Sequence, residues 1–273
     1  MKKYILFLLR SLIVLLLLHS CKDGPQNISS NDLTVNDNES HWSYQGETGP
    51  EHWSEIEKNS NCDGQRQSPI NIIDIEVLAD SSLTPLKFAY SENTKIHDVT
   101  NNGHTIQFNF EKGDYIDLND NKFELLQIHF HEPSEHTING IRYPIEVHFV
   151  HVNKANNELM VLAMFGKEGV NNEFFTFLES YLPIQVGDTK SIGVSFDLNS
   201  SLPDDLDYYN YEGSLTTPPC TEGVNWYVIK SPITLSVEQV KELQELMPLN
   251  NYRNEQPINS RIIRQMPIKP VVY

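Results

Sequence analysis

Apolar side chains alternate with polar ones in several short segments between residues 41 and 273. This period of two is typical of β-strands, whose successive side chains point to opposite faces of a sheet. Turn sequences such as Asn101-Asn102-Gly103 separate the segments, and this spacing favours antiparallel pairing because parallel neighbours need longer crossovers. The strand-like segments are LKFAY (86–90), HTIQFNF (104–110), FELLQIHFH (123–131), IEVHFVHV (145–152) and VNWYVI (224–229).

Two segments have the spacing of helices instead. SVEQVKELQEL, residues 236–246, begins with a serine that can cap a helix, continues with an early glutamate, and repeats apolar residues at helical spacing. EFFTFLESYL, residues 173–182, is the second predicted helix. The sequence therefore predicts a sheet-dominated α+β domain with few helices.

The first twenty residues differ from the rest of the chain. An apolar run at 5–18 follows Lys2 and Lys3 and is interrupted by Arg10, and no acidic residue comes before Asp23. These features predict a secretory signal peptide over residues 1–20, since the run is short for a bilayer span. The alternative is a signal anchor that stays uncleaved.

Cys21 directly follows this segment in the sequence LHSC. This end resembles the lipobox of bacterial lipoproteins, in which the cysteine is acylated, although His19 departs from the small residues usual there. The prediction is an exported protein of the periplasm or cell surface, anchored to the membrane through lipid on Cys21. The alternative is ordinary signal cleavage nearby, which leaves Cys21 as an unpaired thiol.

Residues 21–40 are polar and rich in Asn and Asp, so they predict a flexible tether before a single domain at 41–273. The formal net charge of the chain is −17, which argues against nucleic acid or an anionic membrane surface as a partner. The sequence contains no indication of the oligomeric state. If Cys21 is lipidated, Cys62 and Cys220 remain as a candidate pair in an oxidising compartment, the alternative being two separate buried thiols.

An unusual polar face occurs on the strand at 123–131. Gln127, His129 and His131 share one face by strand parity, while Ile128 and Phe130 share the other. The apolar face is explained by packing on a core. An ordinary solvated strand face carries residues such as Lys, Thr and Glu. Two imidazoles and an amide on one face therefore need another explanation.

The strand at 145–152 supplies another histidine. Glu146 and His148 share one face, and His151 points to the other. The turn sequence Asn139-Gly140 lies between the two strands and makes them plausible antiparallel neighbours. If their polar faces coincide, three histidines meet.

His129, His131 and His148 would then form a three-histidine set with an open fourth position, the arrangement of a catalytic zinc site. Gln127 and Glu146 each precede a histidine by two residues, so each lies on the same face and can accept the other ring N–H. The alternative is a set of unrelated histidines on a polar face.

At this point the sequence resembles the α-class carbonic anhydrases, the standard example of a three-histidine zinc site. The resemblance implies a large, twisted, mostly antiparallel sheet with short surface helices. It also implies Zn²⁺ as cofactor and the reversible hydration of CO₂ to bicarbonate and a proton, by attack of a hydroxide that zinc generates from water. The matching segments are HWSYQGETGPEHW (41–53), RQSPINI (66–72), NNGHTIQF (101–108), QIHFHEPSEHTING (127–140), EVHFVH (146–151) and SLTTPPCTEGVNW (214–226).

By this resemblance, His129, His131 and His148 match the zinc ligands. Gln127 and Glu146 match the partners that orient the first and third ligands. The family position of the carbonyl that orients His131 falls at Asn251.

The remaining roles follow from the same resemblance. Thr216 matches the threonine that orients the hydroxide, and Glu135 matches the glutamate that accepts its hydroxyl hydrogen; alone, Thr216 would be a turn residue before two prolines. Thr217 is expected to contact bicarbonate. The apolar wall of the CO₂ site corresponds to Val150, Val161 and Leu215.

His104 matches the proton shuttle of the family, and without the resemblance it would be a solvated turn residue. Tyr44 and Asn102 match residues that order the intervening water. Cys62 and Cys220 match a disulfide of secreted members. Gln107 departs from the Asn of some members, which bears on the ordering of water in the cleft.

Two other functions stay open. A binding module that keeps the fold without turnover is one, although such proteins typically lose a zinc histidine and all three are present here. A zinc esterase or hydrolase that uses the same hydroxide is the other.

Overall fold

The computed structural model describes residues 41–267 of the chain. The predicted signal peptide, the lipidation of Cys21 and the tether lie outside the described residues, as does the segment 268–273. None of the helices within 41–267 is long and apolar enough to cross a membrane.

The described residues contain sixteen strands, numbered here in chain order. They are β1 (Asn71–Ile72), β2 (Leu78–Ala79), β3 (Lys87–Ala89), β4 (Thr94–Asn101), β5 (Ile106–Phe110), β6 (Tyr115–Leu118), β7 (Asn121–His131), β8 (Thr137–Ile138), β9 (Ile141–Arg142), β10 (Ile145–Asn153), β11 (Glu158–Glu168), β12 (Thr189–Phe196), β13 (Tyr208–Ser214), β14 (Glu222–Ile229), β15 (Ile233–Leu235) and β16 (Arg264–Gln265). The five strands predicted from alternation are confirmed with shifted ends, whereas several others, including β4, β12 and β13, lack a sequence pattern strong enough to have been predicted.

Thirteen of these strands form one sheet, whose main path runs β12-β4-β5-β7-β10-β11-β14-β13-β16-β2. Most neighbours in it are antiparallel, as predicted, and the parallel pairs are β11–β14, β11–β15 and β16–β2. β1, β8 and β9 form a separate small sheet.

The centre of the large sheet is the pair β7–β10. The two strands are antiparallel, with His129 opposite His148 and Phe130 opposite Val147, which confirms the predicted pairing. The turn at Asn139-Gly140, with φ of 51° and 77°, does not join these strands directly. It closes the short hairpin β8–β9, because the link between β7 and β10 is long enough to hold a hairpin of its own.

Strand parity divides the core into two parts. Ile128, Phe130, Val147 and Phe149 are fully buried in the larger cluster on one side of the sheet. A smaller apolar cluster, which includes Val150, lies on the other side, where the polar residues of β7 and β10 also lie. Burying one such side chain contributes ~1.5–3 kcal/mol, so a slip of one residue, which would exchange the two faces, is strongly disfavoured.

Three α-helices lie in the described residues: α1 (Trp53–Ile56), α2 (Glu173–Glu179) and α3 (Val237–Leu246). α3 begins as predicted, with Ser236 as its cap, and the reciprocal partner in the capping box is Gln239. α2 ends at Glu179, three residues earlier than predicted. Pro183 follows closely, and a proline disfavours helical backbone at the residue before it.

Candidate metal centre and active-site cleft

Three imidazole rings from β7 and β10 meet at one point of the sheet. His129, His131 and His148 each offer a ring nitrogen, and these atoms all lie within 4.8 Å of one another. His131 and His148 are 1% exposed, and His129 is half-buried. The convergence predicted from strand parity is therefore present.

Each ring has its other nitrogen occupied by a hydrogen-bond acceptor. The acceptors are Gln127 Oε1 for His129 Nδ1 (2.9 Å), Asn251 O for His131 Nδ1 (2.7 Å) and Glu146 Oε1 for His148 Nε2 (2.7 Å). These are the three partners expected from the sequence. Because an acceptor holds each N–H outward, the nitrogens left to face one another carry lone pairs.

The residues present fit a zinc ion. His131 Nε2 is buried and has no hydrogen-bond partner, which is costly for a polar atom unless something absent from the coordinates completes it. Burial lowers the pKa of His129 and of His131, so both rings are neutral, as metal ligation requires. Three neutral imidazoles without a fourth protein ligand are the donor set of a catalytic zinc site.

The carboxylate of Glu146 is completely satisfied by hydrogen bonds. Oε1 accepts from the rings of His148 and His136, both at 2.7 Å, and Oε2 accepts the backbone N–H groups of Glu135 (2.9 Å) and His136 (2.8 Å). Burial alone would raise the pKa of Glu146, but the two rings hold it well below its usual value. The carboxylate stays ionised and fixes the orientation of His148.

His136 is a fully buried, hydrogen-bonded histidine beside Glu146. Its Nε2 lies 2.6 Å from the hydroxyl of Tyr211, which in turn lies 2.8 Å from the hydroxyl of Ser68. His136, Glu146 and His148 also group closely enough for a metal, but the hydrogen bonds already account for their donor atoms. This network anchors the metal centre in the core.

Glu135 lies beside His131, and its two carboxylate oxygens have different surroundings. Glu135 Oε1 accepts the backbone N–H of Arg253 at 3.0 Å, and Glu135 Oε2 lies 3.4 Å from His131 Nε2. Oε2 is buried and has no hydrogen-bond partner among residues 41–267, so the expected bond from Thr216 is not formed in this structure. Thr216 itself is 5% exposed.

The expected apolar wall is assembled. Val150, Val161 and the partly buried Leu215 belong to the small apolar cluster on the metal side of the sheet, together with Trp226. Val150 lies opposite both Gln127 and Val161 in the strand register. On this side of the sheet, the apolar surface therefore begins at Val150, two residues along β10 from His148.

A cavity of about 120 Å³ opens over the histidines. The four polar residues expected in the cleft, Tyr44, Asn102, His104 and Thr217, all line it, and so does Gln107. Trp42, Thr105, Gln127, His129 and His131 complete the lining. Asn102 also has a local role, since its Oδ1 accepts the backbone N–H groups of His104 and Thr105, both at 2.9 Å.

His104 lies at the mouth of this cavity. Its ring stacks on Trp42, with 3.7 Å between centroids and 13° between planes. Its Nε2 lies 3.0 Å from Nε2 of the exposed His41. Burial, and then the charge of His41, lower the pKa of His104 to about 4.

The disulfide between Cys62 and Cys220 is present, as expected from the resemblance. The backbone N–H of Cys220 donates to the carbonyl of Thr217 at 2.8 Å, so the bridge is joined to the loop that carries Thr216. The Arg253 guanidinium donates to the carbonyl of Cys62, the other cysteine of the bridge, at 2.7 Å.

Three residues of this site were missed by the sequence analysis. Arg253 and Tyr211 are buried polar residues that hold Glu135 and His136, and His41 contacts His104. His41 lies in the quoted segment HWSYQGETGPEHW, but neither periodicity nor spacing distinguishes it there. Only the path of the chain brings these residues to the site.

Known proteins match this fold and this site. The family model of the eukaryotic-type carbonic anhydrases matches residues 48–267. A carbonic anhydrase of Pectobacterium atrosepticum is 38% identical over 225 residues, which cover 82% of this chain and 90% of that protein. The chain therefore belongs to the carbonic anhydrase family, whose reaction is the hydration of CO₂.

Solved structures agree. The α-carbonic anhydrase from Thermovibrio ammonificans, in complex with the inhibitor sulfanilamide, has a TM-score of 0.78 and 40% identity, covering 82% of this chain and 99% of that one. Dioscorin complexed with ascorbate has a TM-score of 0.77 and 31% identity, covering 83% and 98%. The sheet-dominated fold predicted from the sequence is thus confirmed.

Proposed function

We propose that this protein hydrates CO₂ reversibly to bicarbonate and a proton, with Zn²⁺ held by His129, His131 and His148 and with His104 as proton shuttle. The observation that carries the proposal is the inward-facing set of three ring nitrogens, one of them buried without a partner. An ordinary polar face would not orient every outer nitrogen and leave the buried His131 Nε2 without a partner.

Zinc in such a site lowers the pKa of its water from 15.7 to about 7 and so supplies a nucleophile at neutral pH. The contribution of the chain is to fix the ligands and their tautomers. Gln127, Glu146 and the Asn251 carbonyl do this from three different parts of the chain, so the three rings would hold the ion in the orientation they already have.

Glu135 and Thr216 would orient the reacting water. Glu135 Oε2 is buried and free to accept a hydrogen, and the backbone of Arg253 holds the other oxygen in place. If the Thr216 hydroxyl donates to Oε2, its oxygen has only acceptor capacity left for the water. The water then donates its hydrogen to Thr216 and directs a lone pair at CO₂.

The apolar wall is suited to the substrate. CO₂ is apolar, and Val150, Val161 and Leu215 offer it a surface without competing hydrogen bonds beside the histidines. Thr217 lines the cavity and supplies a hydroxyl that can contact the more polar bicarbonate product.

Proton removal would pass through His104. The ring lines the cavity that His129 and His131 also line, and Tyr44 and Asn102 add polar surface for water to the same cavity. Burial raises the pKa of Tyr44 well above its usual value, so Tyr44 stays neutral and does not compete for the proton. Burial and the charge of His41 lower the pKa of His104 to about 4, so the ring is neutral at neutral pH and its free nitrogen is available to accept a proton.

The deciding experiment combines two measurements on the purified chain: zinc content and CO₂ hydration by stopped flow. We expect one zinc per chain and rapid hydration that chelation abolishes and zinc restores. Stoichiometric zinc without CO₂ hydration would contradict the proposed enzymatic activity. CO₂ hydration with a different stoichiometric metal would contradict only the assignment of zinc as cofactor.

A binding role without turnover is the second candidate, because dioscorin has the same fold and its structure contains ascorbate. The complete ligand set and its oriented outer nitrogens favour the enzyme. The hydration measurement separates the two functions.

We also propose that the protein is exported and anchored through lipid on Cys21, with a signal at 1–20, a tether at 21–40 and the catalytic domain at 41–273. The disulfide supports export, since such bonds persist in oxidising compartments. Cys21→Ser should release the protein into the soluble fraction. Wild-type protein that is already soluble and begins elsewhere would contradict the anchor.

A further inference from the structure

Four polar side chains form an unbroken row of hydrogen bonds from the cleft to the surface. Gln107 lines the cavity, and its Nε2 donates to Asn109 Oδ1 at 2.7 Å. Asn109 Nδ2 donates in turn to Asp98 Oδ1 at 2.6 Å. The other oxygen of Asp98 is hydrogen-bonded to Nδ1 of His97, which is exposed. The row therefore extends from the cleft across β5 and ends on β4.

Strand register places these side chains next to one another. Asp98 lies opposite Asn109 on the antiparallel pair β4–β5. On the pair β5–β7, Asn109 lies opposite Gln127, and Gln107 lies opposite His129. Side chains directly opposite each other across a sheet have Cβ atoms about 4.5–5.5 Å apart, so the backbone itself holds the row within hydrogen-bonding reach. The row therefore lies on the same face of the sheet as His129.

The carboxylate of Asp98 gives the row its direction. An amide group can be turned over with little change in shape, because it has a donor at one end and an acceptor at the other, whereas a carboxylate only accepts. Asn109 must therefore turn its Nδ2 toward Asp98 and its Oδ1 toward Gln107. Gln107 then has to donate from its Nε2, which leaves its Oε1 as an acceptor for other groups in the cavity.

Burial strengthens this arrangement. Asp98 is only 9% exposed, and Gln107 and Asn109 are half-buried, whereas the neighbouring His97 is exposed. A hydrogen bond to a carboxylate is stronger than one between neutral groups, and more so where water is excluded. Asp98 can therefore hold the Asn109 amide in one orientation, and Asn109 can hold that of Gln107. A solvated row of polar residues would have no such fixed direction, since water can both donate and accept.

We propose that Asp98 and Asn109 are positioning residues, which fix the Gln107 amide with its oxygen available to accept a hydrogen bond from water in the cleft. This inference rests on the proposed function, because it concerns the water that would carry the proton released by CO₂ hydration to His104. Neither Asp98 nor Asn109 lines the cavity, so both act through Gln107.

The orientation of the amide decides which way a cleft water can point. A water that donates one hydrogen to Gln107 Oε1 keeps its other hydrogen for His104, which lines the same cavity. The same water keeps its lone pairs to accept a proton from the side of the histidine ligands. A reversed amide would donate an N–H to that water and occupy a lone pair instead. The direction set by Asp98 therefore favours proton movement from the ligands toward His104.

The main test uses the zinc-loaded full chain in weak buffer, where proton transfer limits kcat. Asp98→Asn keeps the size of the side chain but removes its fixed acceptor role, so both amides of the row can turn over. We expect kcat to fall about threefold, within the range of one ordinary hydrogen bond, with kcat/KM for CO₂ unchanged because that ratio ends at the attack step.

Exchange of the two residues should restore the wild-type rate. In the double variant Asp98→Asn/Asn109→Asp, the carboxylate stands at position 109, where it accepts N–H groups from position 98 and from Gln107. The Gln107 amide is then held as in wild type, so kcat in weak buffer should return to near the wild-type value. A loss that persists in this exchanged variant would overturn the proposal, because a carboxylate beside Gln107 would then fail to orient it.

Removal of the Gln107 amide provides an independent test. Gln107→Leu should itself lower kcat, and Asp98→Asn should cause no further loss in that background, since Asp98 is proposed to act only through Gln107. Additive losses would overturn the proposal. The matched control is Asp114→Asn, which should leave kcat unchanged. Asp114 is also a buried aspartate that accepts hydrogen bonds, from Ser91 and Thr94, but it does not line the cavity.

A measurement on the amide itself does not depend on activity. The side-chain NH₂ group of Gln107 can be followed by NMR, with its signals assigned through their loss in Gln107→Leu. These signals should shift in Asp98→Asn and return toward their wild-type positions in the exchanged variant, because the hydrogen bond to Asn109 is loosened and then replaced. Unchanged Gln107 signals in Asp98→Asn would overturn the proposal.

The kinetic outcomes separate this proposal from the function on which it rests. Wild-type protein without CO₂ hydration would overturn the proposed function and, with it, any role of the row in catalysis. Normal kcat in Asp98→Asn beside an impaired His104→Ala would overturn the positioning role alone. A fall in kcat/KM in Asp98→Asn would also overturn it, since that result marks a structural role for Asp98.

Discussion

At the floor of the cleft, His131 and His148 are 1% exposed, and each has one ring nitrogen held by an acceptor at 2.7 Å. At the mouth, His104 is half-buried, stacked on Trp42 and hydrogen-bonded to an exposed histidine. The floor is built on neighbouring sheet strands, and the mouth on a turn and the start of the domain.

The difference agrees with the role proposed for each ring. A metal ligand must keep one tautomer and one orientation, so it needs a rigid strand and a fixed acceptor. A proton relay must gain and lose a proton in every cycle, so it needs a path to solvent. Changes at the floor should therefore affect kcat/KM, and changes at the mouth should affect only kcat in weak buffer.

Removal of a ligand should have the largest effect. His148→Ala leaves two histidines and removes one of the four N–H groups that Glu146 accepts, so zinc and nearly all hydration should be lost. Zinc analysis and stopped flow measure both losses. His151→Gln is the control, because His151 lies on the same strand but bonds Tyr90 and the Phe149 carbonyl on the other face, and this variant should keep zinc. Full activity in His148→Ala would exclude His148 as a ligand.

The second-largest loss of activity should follow removal of the Thr216 hydroxyl. Thr216→Ala removes the group proposed to direct the reacting water, and a misplacement on this scale can cost about 100-fold in rate. The loss should appear in kcat/KM, with zinc retained and no rescue by imidazole. Thr216→Ser keeps the hydroxyl and should recover most of the rate. Equal losses in both variants would indicate packing of the loop instead.

The outer partner of His148 should matter less than the ligand. Glu146→Gln removes the charge and places an amide where the carboxylate accepts four N–H groups, so zinc affinity should fall about 10–100-fold. Competition with a chelator measures this change. Glu111→Gln, at an exposed ion pair with Lys95, should leave zinc affinity unchanged. Unchanged affinity in Glu146→Gln would mean that position alone, and not charge, orients His148.

The difference between the floor and the mouth of the cleft also explains which parts of the site the sequence could predict. Gln127 and Glu146 lie two residues from their ligands, so strand parity alone places them on the correct face. The pairing of β7 with β10 agrees with their matching polar and apolar faces, although the turn that suggested it, Asn139-Gly140, closes the hairpin β8–β9 instead.

Other parts of the site depend on the path of the whole chain. Arg253 follows Glu135 by 118 residues, and His104 follows His41 by 63. No local period connects residues so far apart. The resemblance supplied Asn251 by position, but it did not supply the contact between His41 and His104, because that contact depends on how the start of the domain lies across the mouth.

The smallest expected effect tests the mouth by itself. His104→Ala should lower kcat in weak buffer by about tenfold, which corresponds to about 1.4 kcal/mol on the proton-transfer barrier. kcat/KM for CO₂ should stay near the wild-type value, and imidazole should restore much of kcat by carrying the proton itself.

The titration of His104 sharpens this prediction. Because the folded pKa is lowered from an ordinary 6.5 to about 4, the ring should stay neutral, and able to accept a proton, as pH falls through 6.5. In the unfolded chain it titrates near 6.5, so its contribution to folding stability is complete above about that pH and is lost as pH falls toward 4. NMR should show the His104 midpoint near 4 in wild type, and the His104→Ala variant should lose stability less steeply over that range. A midpoint near 6.5 would mean that His104 is solvated in solution and free of the Trp42 stack. Unchanged kcat in His104→Ala at low buffer would mean that protons leave the floor by a path that avoids the mouth.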